Sequence, residues 1–269
     1  MFRTLLVALS FTLTLMMPHV LHAQLIVAHR GASHDAPENT LAAYKLAWEQ
    51  GADAIEGDFH LTKDGKIICI HDGDTKRVTG IDRKIAATDF AELRTMDVGS
   101  WKDKKFAGER MPTLEEVLAI VPANKQVFIE IKCGPSIVPL LKTQVEASKL
   151  TAGQMVVISF NAQVIAEVRR QIPQIKAQWL VSYKQDKETQ QWKPTREEVL
   201  ATLKKIGASG LDTNAHETID AGFVKQLREA KMDFHCWTVD DPKVAKRFVS
   251  LGVDSITTNR PGWLREQIK

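Results

Sequence analysis

The stretch Gly51-Ala52-Asp53-Ala54-Ile55-Glu56-Gly57-Asp58, continued by Phe59, is a short, largely apolar run opened by a glycine and carrying acids at alternate positions. It predicts a strand near 53–59. The i, i+2 spacing of Glu56 and Asp58 turns both carboxylates to one face. Immediately upstream, Glu38 to Gln50 has the pattern of an amphipathic helix, and before it a β-branched run near 25–29 predicts another strand. This strand–helix–strand unit then recurs along the chain. Strands are predicted near 126–132, 155–159, 177–181, 209–212, 233–237 and 254–257, with helices over Thr113–Val121, Ala162–Gln171, Ala221–Ala230 and Pro242–Leu251. Eight strands alternating with helices predict a closed (β/α)8 TIM barrel in one α/β domain. A doubly wound sheet is the competing architecture. It would carry spaced glycines after the first strand, and His29-Arg30-Gly31-Ala32 is too short and wrongly spaced to serve.

One segment breaks the alternation. After the second strand the chain runs through Lys66 to His71 as a further strand, then through polar, irregular residues to about Arg110, which predicts a small insertion over about 72–110. Met111-Pro112-Thr113-Leu114-Glu115-Glu116 restarts the barrel, with Thr113 as N-cap and Glu116 completing a capping box.

The first 23 residues have the form of a signal peptide: Arg3, an apolar run from Leu5 to Met17, and Leu21-His22-Ala23 as a cleavage site. The expectation is an exported protein, periplasmic or secreted, whose catalytic domain spans 24–269, with no stable membrane insertion after cleavage. The formal net charge is +3; losing residues 1–23 removes Arg3 alone among Lys, Arg, Asp and Glu, which leaves +2. Such balance argues against nucleic acid as a partner. Cys69, Cys133 and Cys236 form no close-spaced pair and read as free, buried thiols.

In a (β/α)8 barrel the C-terminal strand ends converge on one mouth. His29 and Arg30 end the first strand, Glu56 and Asp58 the second, and Glu130 and Lys132 repeat the i, i+2 spacing in the strand Val127 to Lys132. Adjacent carboxylates in an apolar strand are costly unless a cation neutralises them, and oxygen ligands suit one divalent ion, Ca²⁺ or Mg²⁺. His71 closes the insertion's leading strand and supplies a second imidazole. Two imidazoles beside a metal suit acid–base cleavage of an ester, with Arg30 holding an anionic phosphoryl group. Trp237 reads as a pocket wall and His235 has no assigned role. His60, His34, Asp72 and Asn39 read as supports for loops or for the site. Trp101 and Trp263 read as packing residues.

The ordered motifs HisArgGly at 29–31, ProGluAsnThr at 37–40, GlyAlaAspAlaIleGluGlyAsp at 51–58, LeuThrLysAspGly at 61–65, HisAsp at 71–72, ProThrLeuGluGlu at 112–116, GluIleLys at 130–132, SerPhe at 159–160 and TrpThrVal at 237–239 together resemble the glycerophosphodiester phosphodiesterase family, of the exported bacterial type. The resemblance covers essentially the whole chain after residue 23. It implies a phosphoric diester hydrolase that converts a small-molecule glycerophosphodiester into sn-glycerol 3-phosphate and an alcohol. By the same resemblance, His29 and His71 match the acid–base pair. Glu56, Asp58 and Glu130 match the divalent-metal ligands, and Arg30 and Lys132 match the phosphate-binding cations. The attacking oxygen is either the substrate's own 2-hydroxyl, through a cyclic phosphate, or water. Asn259 stands where the family often has Asp, a change expected to alter a barrel-end contact.

Two rival functions keep parts of this reading. Phospholipase C or D-like cleavage of lipid phosphodiesters would call for an apolar rim, and no such stretch stands out after Gln24. A binding protein that captures phosphodiesters without turnover would need cations rather than a pair of imidazoles.

Overall fold

The computed structural model describes residues 24–269, so the expected signal peptide lies outside the described residues. Among the described residues eleven strands occur in chain order: β1 (Leu25–Ala28), β2 (Ala54–Leu61), β3 (Ile67–Cys69), β4 (Gln126–Ile131), β5 (Met155–Ser159), β6 (Lys176–Val181), β7 (Lys184–Gln185), β8 (Trp192–Lys193), β9 (Gly210–Asn214), β10 (Asp233–Trp237) and β11 (Ser255–Thr258). Eight of them, β1, β2, β4, β5, β6, β9, β10 and β11, run parallel in that order, and β11 pairs with β1 to close a (β/α)8 barrel.

Each barrel strand alternates between the outer core and the barrel interior. Outward-facing Ile55, Val127, Val157, Leu211 and Ile256 are buried beneath the helices. Inward-facing Val27, Ala54, Phe128, Val156, Ile158 and Leu180 fill the interior. The helices begin where side-chain oxygens satisfy free backbone N–H groups. Thr40, Asn161, Asp220 and Asp241 all cap in this way, and Thr113 with Glu116 forms the expected capping box.

The structure departs from the sequence expectations in several places. The helix expected from Glu38 begins at Leu41, because Thr40 caps it and Asn39 takes a left-handed turn with φ 59°. β2 runs on to Leu61 because β3 pairs with it antiparallel, Phe59 opposite Cys69, and β3 itself is confined to Ile67–Cys69. The insertion is not merely irregular. Ile68, Ile70, Val78, Ile85, Leu93, Met96, Val98 and Met111 bury one another in a small satellite core, stiffened by short helices at Lys76–Thr79 and Phe90–Leu93. The β7–β8 hairpin, pairing Lys184 with Lys193, was not anticipated, since strands of two residues are too short to show a period. Trp101 and Trp263 are 41% and 37% exposed rather than packed inside. Trp101 lies between Arg77 and Lys102, and Trp263 lies under Arg260, as faces for cations. All three cysteines are free; Cys69 and Cys236 are buried and Cys133 is half-buried.

Candidate active site

Parallel register brings the predicted residues of the first three barrel strands together. Val27 pairs with Ala54, so His29 follows on beside Glu56, while Asp58 stands opposite Glu130 across β2 and β4. Glu56, Asp58 and Glu130 each offer an oxygen within 4.8 Å of the others, and all three are buried. Glu56 Oε1 and Asp58 Oδ1 are sealed from solvent without a hydrogen-bond donor.

The cations close in from two sides. Lys132 Nζ lies 2.7 Å from Glu130 Oε1 and 3.3 Å from Asp58 Oδ1. Arg30 Nε lies 3.2 Å from Asp58 Oδ2, and its Nη1 donates to Glu38 Oε1 at 3.0 Å. Arg77 from the insertion grips the same Glu38. The Arg30 backbone is itself left-handed, φ 55°, and its N–H donates to Glu56 Oε2 at 2.8 Å. Gly31 completes this turn at φ 79°; a β-carbon there would sit 2.6 Å from the Ala43 carbonyl carbon, so the HisArgGly turn requires its glycine.

Three buried carboxylates thus face two half-buried cations. Burial, reinforced by Asp58 and Glu130, pushes Glu56 well above the usual carboxylate range. Burial and Asp58 raise Glu130 to about 7. For Asp58, burial acts upward, but Arg30 and Lys132 outweigh it and hold the group below its ordinary value. Carboxyl oxygens without donors, two of the acids forced toward their neutral form, and hard oxygen ligands converging on one point are the features a divalent cation would satisfy.

Each imidazole is oriented through Nδ1. Asn259 Nδ2 donates to Asp240 Oδ2 at 2.6 Å, which turns the amide oxygen Oδ1 to the His29 ring at 2.7 Å. Because that oxygen only accepts, His29 carries its proton on Nδ1. Burial and then Arg30 lower the His29 pKa to about 4. His71 Nδ1 instead donates to Asp72 Oδ1 at 2.7 Å, with Arg77 on the other Asp72 oxygen.

The residues expected to support the site surround these pairs. Asn39 Nδ2 donates to Asp58 Oδ2 at 2.8 Å and is held in turn by the Tyr44 hydroxyl. His60 Nε2 donates to the His71 carbonyl oxygen at 3.1 Å. The His34 side chain is exposed and pairs with Asp35, and it does not line the cavity. His235 lies in the barrel interior, hydrogen-bonded to Gln178 and Ser255.

His29, Arg30, Glu56, His71, Glu130, Lys132 and Trp237 line one cavity of about 200 Å³. Its remaining wall is formed by Ile158, Phe160, Leu180, Asp212, Thr238 and Thr257. Asp58 reaches this site through its ion pairs with Arg30 and Lys132 rather than as wall. The cavity therefore has a charged half on β1, β2, β4 and the insertion, and a largely apolar half on β5, β6, β9 and β10. Trp237 and Phe160 meet edge to face at 5.5 Å on the apolar side. A larger hollow of about 620 Å³ lies outside the barrel, between helices Leu114–Ala119 and Val138–Ala147. Its one carboxylate, Glu115, already accepts from Gln144, and no histidine lines it.

Sequence reasoning assigned no role to Asp240, Glu38 or Asp212 and saw in Asn259 only an altered contact. Asp212 and Phe160 do share the inward parity of their strands with the assigned residues, a signal that was available. The links from Asp240 to Asn259 and from Glu38 to Arg30 join residues distant in sequence or set in loops without periodicity, and had no such signal.

The sequence matches the Glycerophosphoryl diester phosphodiesterase family over residues 29–263. It is 32% identical over 241 residues to a glycerophosphodiester phosphodiesterase of Caldanaerobacter subterraneus subsp. tengcongensis, covering 88% of this chain and 94% of that protein. It is 30% identical to a glycerophosphodiester phosphodiesterase of Bacillus subtilis over 256 residues, covering 88% and 84%. Among solved structures, a phosphodiesterase of Oleispira antarctica in complex with the product sn-glycerol-3-phosphate superposes with a TM-score of 0.79 at 25% identity, over 91% of this chain and 96% of that one. With these barrel, register and motif correspondences in hand, the chain belongs to the glycerophosphoryl diester phosphodiesterase family.

Proposed function

We propose that this protein hydrolyses small-molecule glycerophosphodiesters to sn-glycerol 3-phosphate and an alcohol, in a reaction that depends on a divalent cation and on His29 and His71. The observation that carries the reading is the presence of both imidazoles, differently partnered, in one cavity with Glu56 and Glu130, whose carboxylate cluster Asp58 completes from behind the wall. Similarity to an enzyme solved with sn-glycerol-3-phosphate supports the choice of substrate.

Glu56, Asp58 and Glu130 would hold the cation, Ca²⁺ or Mg²⁺. Bound there, it supplies positive charge that neutralises the phosphoryl oxygens as negative charge grows in the transition state. Arg30 and Lys132 bind the same anionic group and orient it. His29, neutral at pH 7 and protonated on Nδ1, has Nε2 free to accept the proton of the attacking oxygen, the substrate's 2-hydroxyl or water. His71, its ring held at Nδ1 by Asp72, gives a proton from Nε2 to the departing alcohol oxygen. The P–O bond to that alcohol breaks as the bond from the attacking oxygen forms; where the 2-hydroxyl attacks, water then opens the cyclic phosphate, losing a proton to one imidazole while the other returns one to the 2-oxygen. Phe160, 46% exposed at the rim, and Trp237 shield the reacting group from one side.

Export to the periplasm or the medium, after removal of residues 1–23, completes the proposal; N-terminal sequencing of the exported fraction, expected to begin at Gln24, tests it. Among the described residues no helix is long and apolar enough to cross a membrane. The activity is tested by following glycerol 3-phosphate release from glycerophosphocholine, with EDTA and with added Ca²⁺ or Mg²⁺. Metal-dependent release is expected. A folded, metal-loaded sample that releases nothing from glycerophosphocholine, glycerophosphoethanolamine or glycerophosphoglycerol overturns the substrate class. Turnover of lipid diesters alone would instead establish the phospholipase reading.

A further inference from the structure

The apolar half of the cavity contains one ionisable side chain. Asp212 projects from β9, between β6 with Leu180 and β10 with Trp237, and takes the inward parity of its strand. It is 1% exposed, and its Oδ1 is sealed from solvent with no hydrogen-bond partner. Leaving a buried carboxyl oxygen without a donor is costly, and no protein group here offsets that cost.

Two uses of Asp212 within the reaction itself do not fit. The carboxylates that approach one another closely enough to share an ion are Glu56, Asp58 and Glu130, without Asp212. Both imidazoles already have their orienting partners in Asn259 and Asp72. What remains is a group on the substrate. Asp212 lies at the closed end of the cavity, whereas Phe160 stands 46% exposed at its rim. With the phosphoryl group between Arg30 and Lys132, one arm of a diester points to the rim and the other into the closed end. A cavity of about 200 Å³ leaves room there for a short polyol arm, not for a long or bulky one.

Resting on the glycerophosphodiester reading above, we propose that Asp212 recognises the terminal hydroxyl of the glyceryl arm and sets the preference for glycerol on that side of the diester. A carboxyl carries an acceptor oxygen in either protonation state, so a substrate hydroxyl can donate to it whether or not it is ionised. The surrounding Leu180, Ile158 and Trp237 exclude the water that would otherwise compete. An arm lacking that hydroxyl leaves Asp212 unsatisfied, and this is the arrangement that discriminates strongly between an alcohol and its deoxy analogue.

The test compares kcat/KM for the p-nitrophenyl diester of glycerol 3-phosphate with that for 2-hydroxypropyl p-nitrophenyl phosphate, which keeps the 2-hydroxyl and lacks only the terminal one, both measured on the same preparation of metal-loaded enzyme. Taking the ratio cancels the fraction of folded protein, so a poorly folding variant still answers. The wild type is expected to prefer the glyceryl compound. Asp212→Ala and Asp212→Leu should lower that ratio at least about tenfold, and Asp212→Asn, which keeps an acceptor oxygen, should retain most of it. A strong wild-type preference that survives Asp212→Ala within about twofold overturns the role of Asp212 alone. A wild-type ratio near one likewise overturns the role of Asp212, while the glycerophosphodiester assignment itself fails only if glycerophosphocholine and its relatives release no glycerol 3-phosphate.

Discussion

Replacing Glu130 by Gln tests the electrostatics of the carboxylate cluster directly. In the protein without a cation, burial and the neighbouring Asp58 hold the Glu130 carboxyl at about 7, against an ordinary value of 4.5. A folded-state pKa above the unfolded one means that the folded protein binds the extra proton. The group therefore costs nothing below pH 4.5, and its penalty develops as pH rises through 7. At 1.36 kcal/mol per pH unit, full ionisation costs about 3 kcal/mol. A chain of this length has an unfolding entropy of roughly 0.5 kcal/mol per degree, so that cost corresponds to about 6 °C in Tm. Gln keeps the shape and an acceptor for Lys132 but cannot ionise. In EDTA, thermal unfolding followed by circular dichroism should show wild type and Glu130→Gln nearly level at pH 4.5 and the variant about 6 °C higher at pH 8. Saturating Ca²⁺ or Mg²⁺ should reverse the order at pH 8, because only the wild type presents the complete cluster, and an ion at about 1,000 times its Kd adds about 4.1 kcal/mol, more than the ionisation cost. A Tm difference that does not change between pH 4.5 and 8, or a variant that gains as much from the ion as wild type, refutes the reasoning.

Removing either imidazole should act on turnover and spare the cation. His29→Asn and His71→Asn should each lower kcat by about 10²–10⁴-fold, with calorimetric Ca²⁺ affinity close to wild type; a loss of ion binding in step with activity would mean that the histidines build the cluster instead. Gly57→Ala should act through the support of Asp58. A β-carbon at Gly57 would lie 2.2 Å from the Tyr44 hydroxyl, which holds Asn39 and through it Asp58. Overpacking of this kind costs about 1–3 kcal/mol, so a lower Tm together with weaker cation binding is expected, and an unchanged Tm would show that the site relaxes freely.

Much of the barrel was legible because its signals are local. Alternating strands and helices carry their own periodicities, and caps such as Thr113 with Glu116 mark where helices start. Strand parity even indicated which side chains face the interior: Glu56 and Asp58 share a face whatever the rest of the fold does. The insertion was legible only as an interruption. Its satellite core joins Ile68 to Met111 across residues without regular period, and no window of sequence reveals that such residues pack together.

What the sequence determined by itself was thus the set of elements, the inward face of each strand and the types of group that reach the mouth. Register, closure and loop conformation decided the rest, and these belong to the tertiary structure because they depend on pairings between distant segments. Closure of β11 on β1 brings Asn259 to His29, 230 residues away, and with it Asp240 as the anchor of the amide. The parallel register of β2 and β4 sets Asp58 against Glu130 and so concentrates charge that neither strand would carry alone. Enclosure by β6, β9 and β10 turns Asp212 from one acid among many into a buried carboxyl without a donor. Burial is a property of the assembled barrel, and it is burial that moves the proton affinities of Glu56, Glu130 and His29 away from their ordinary values.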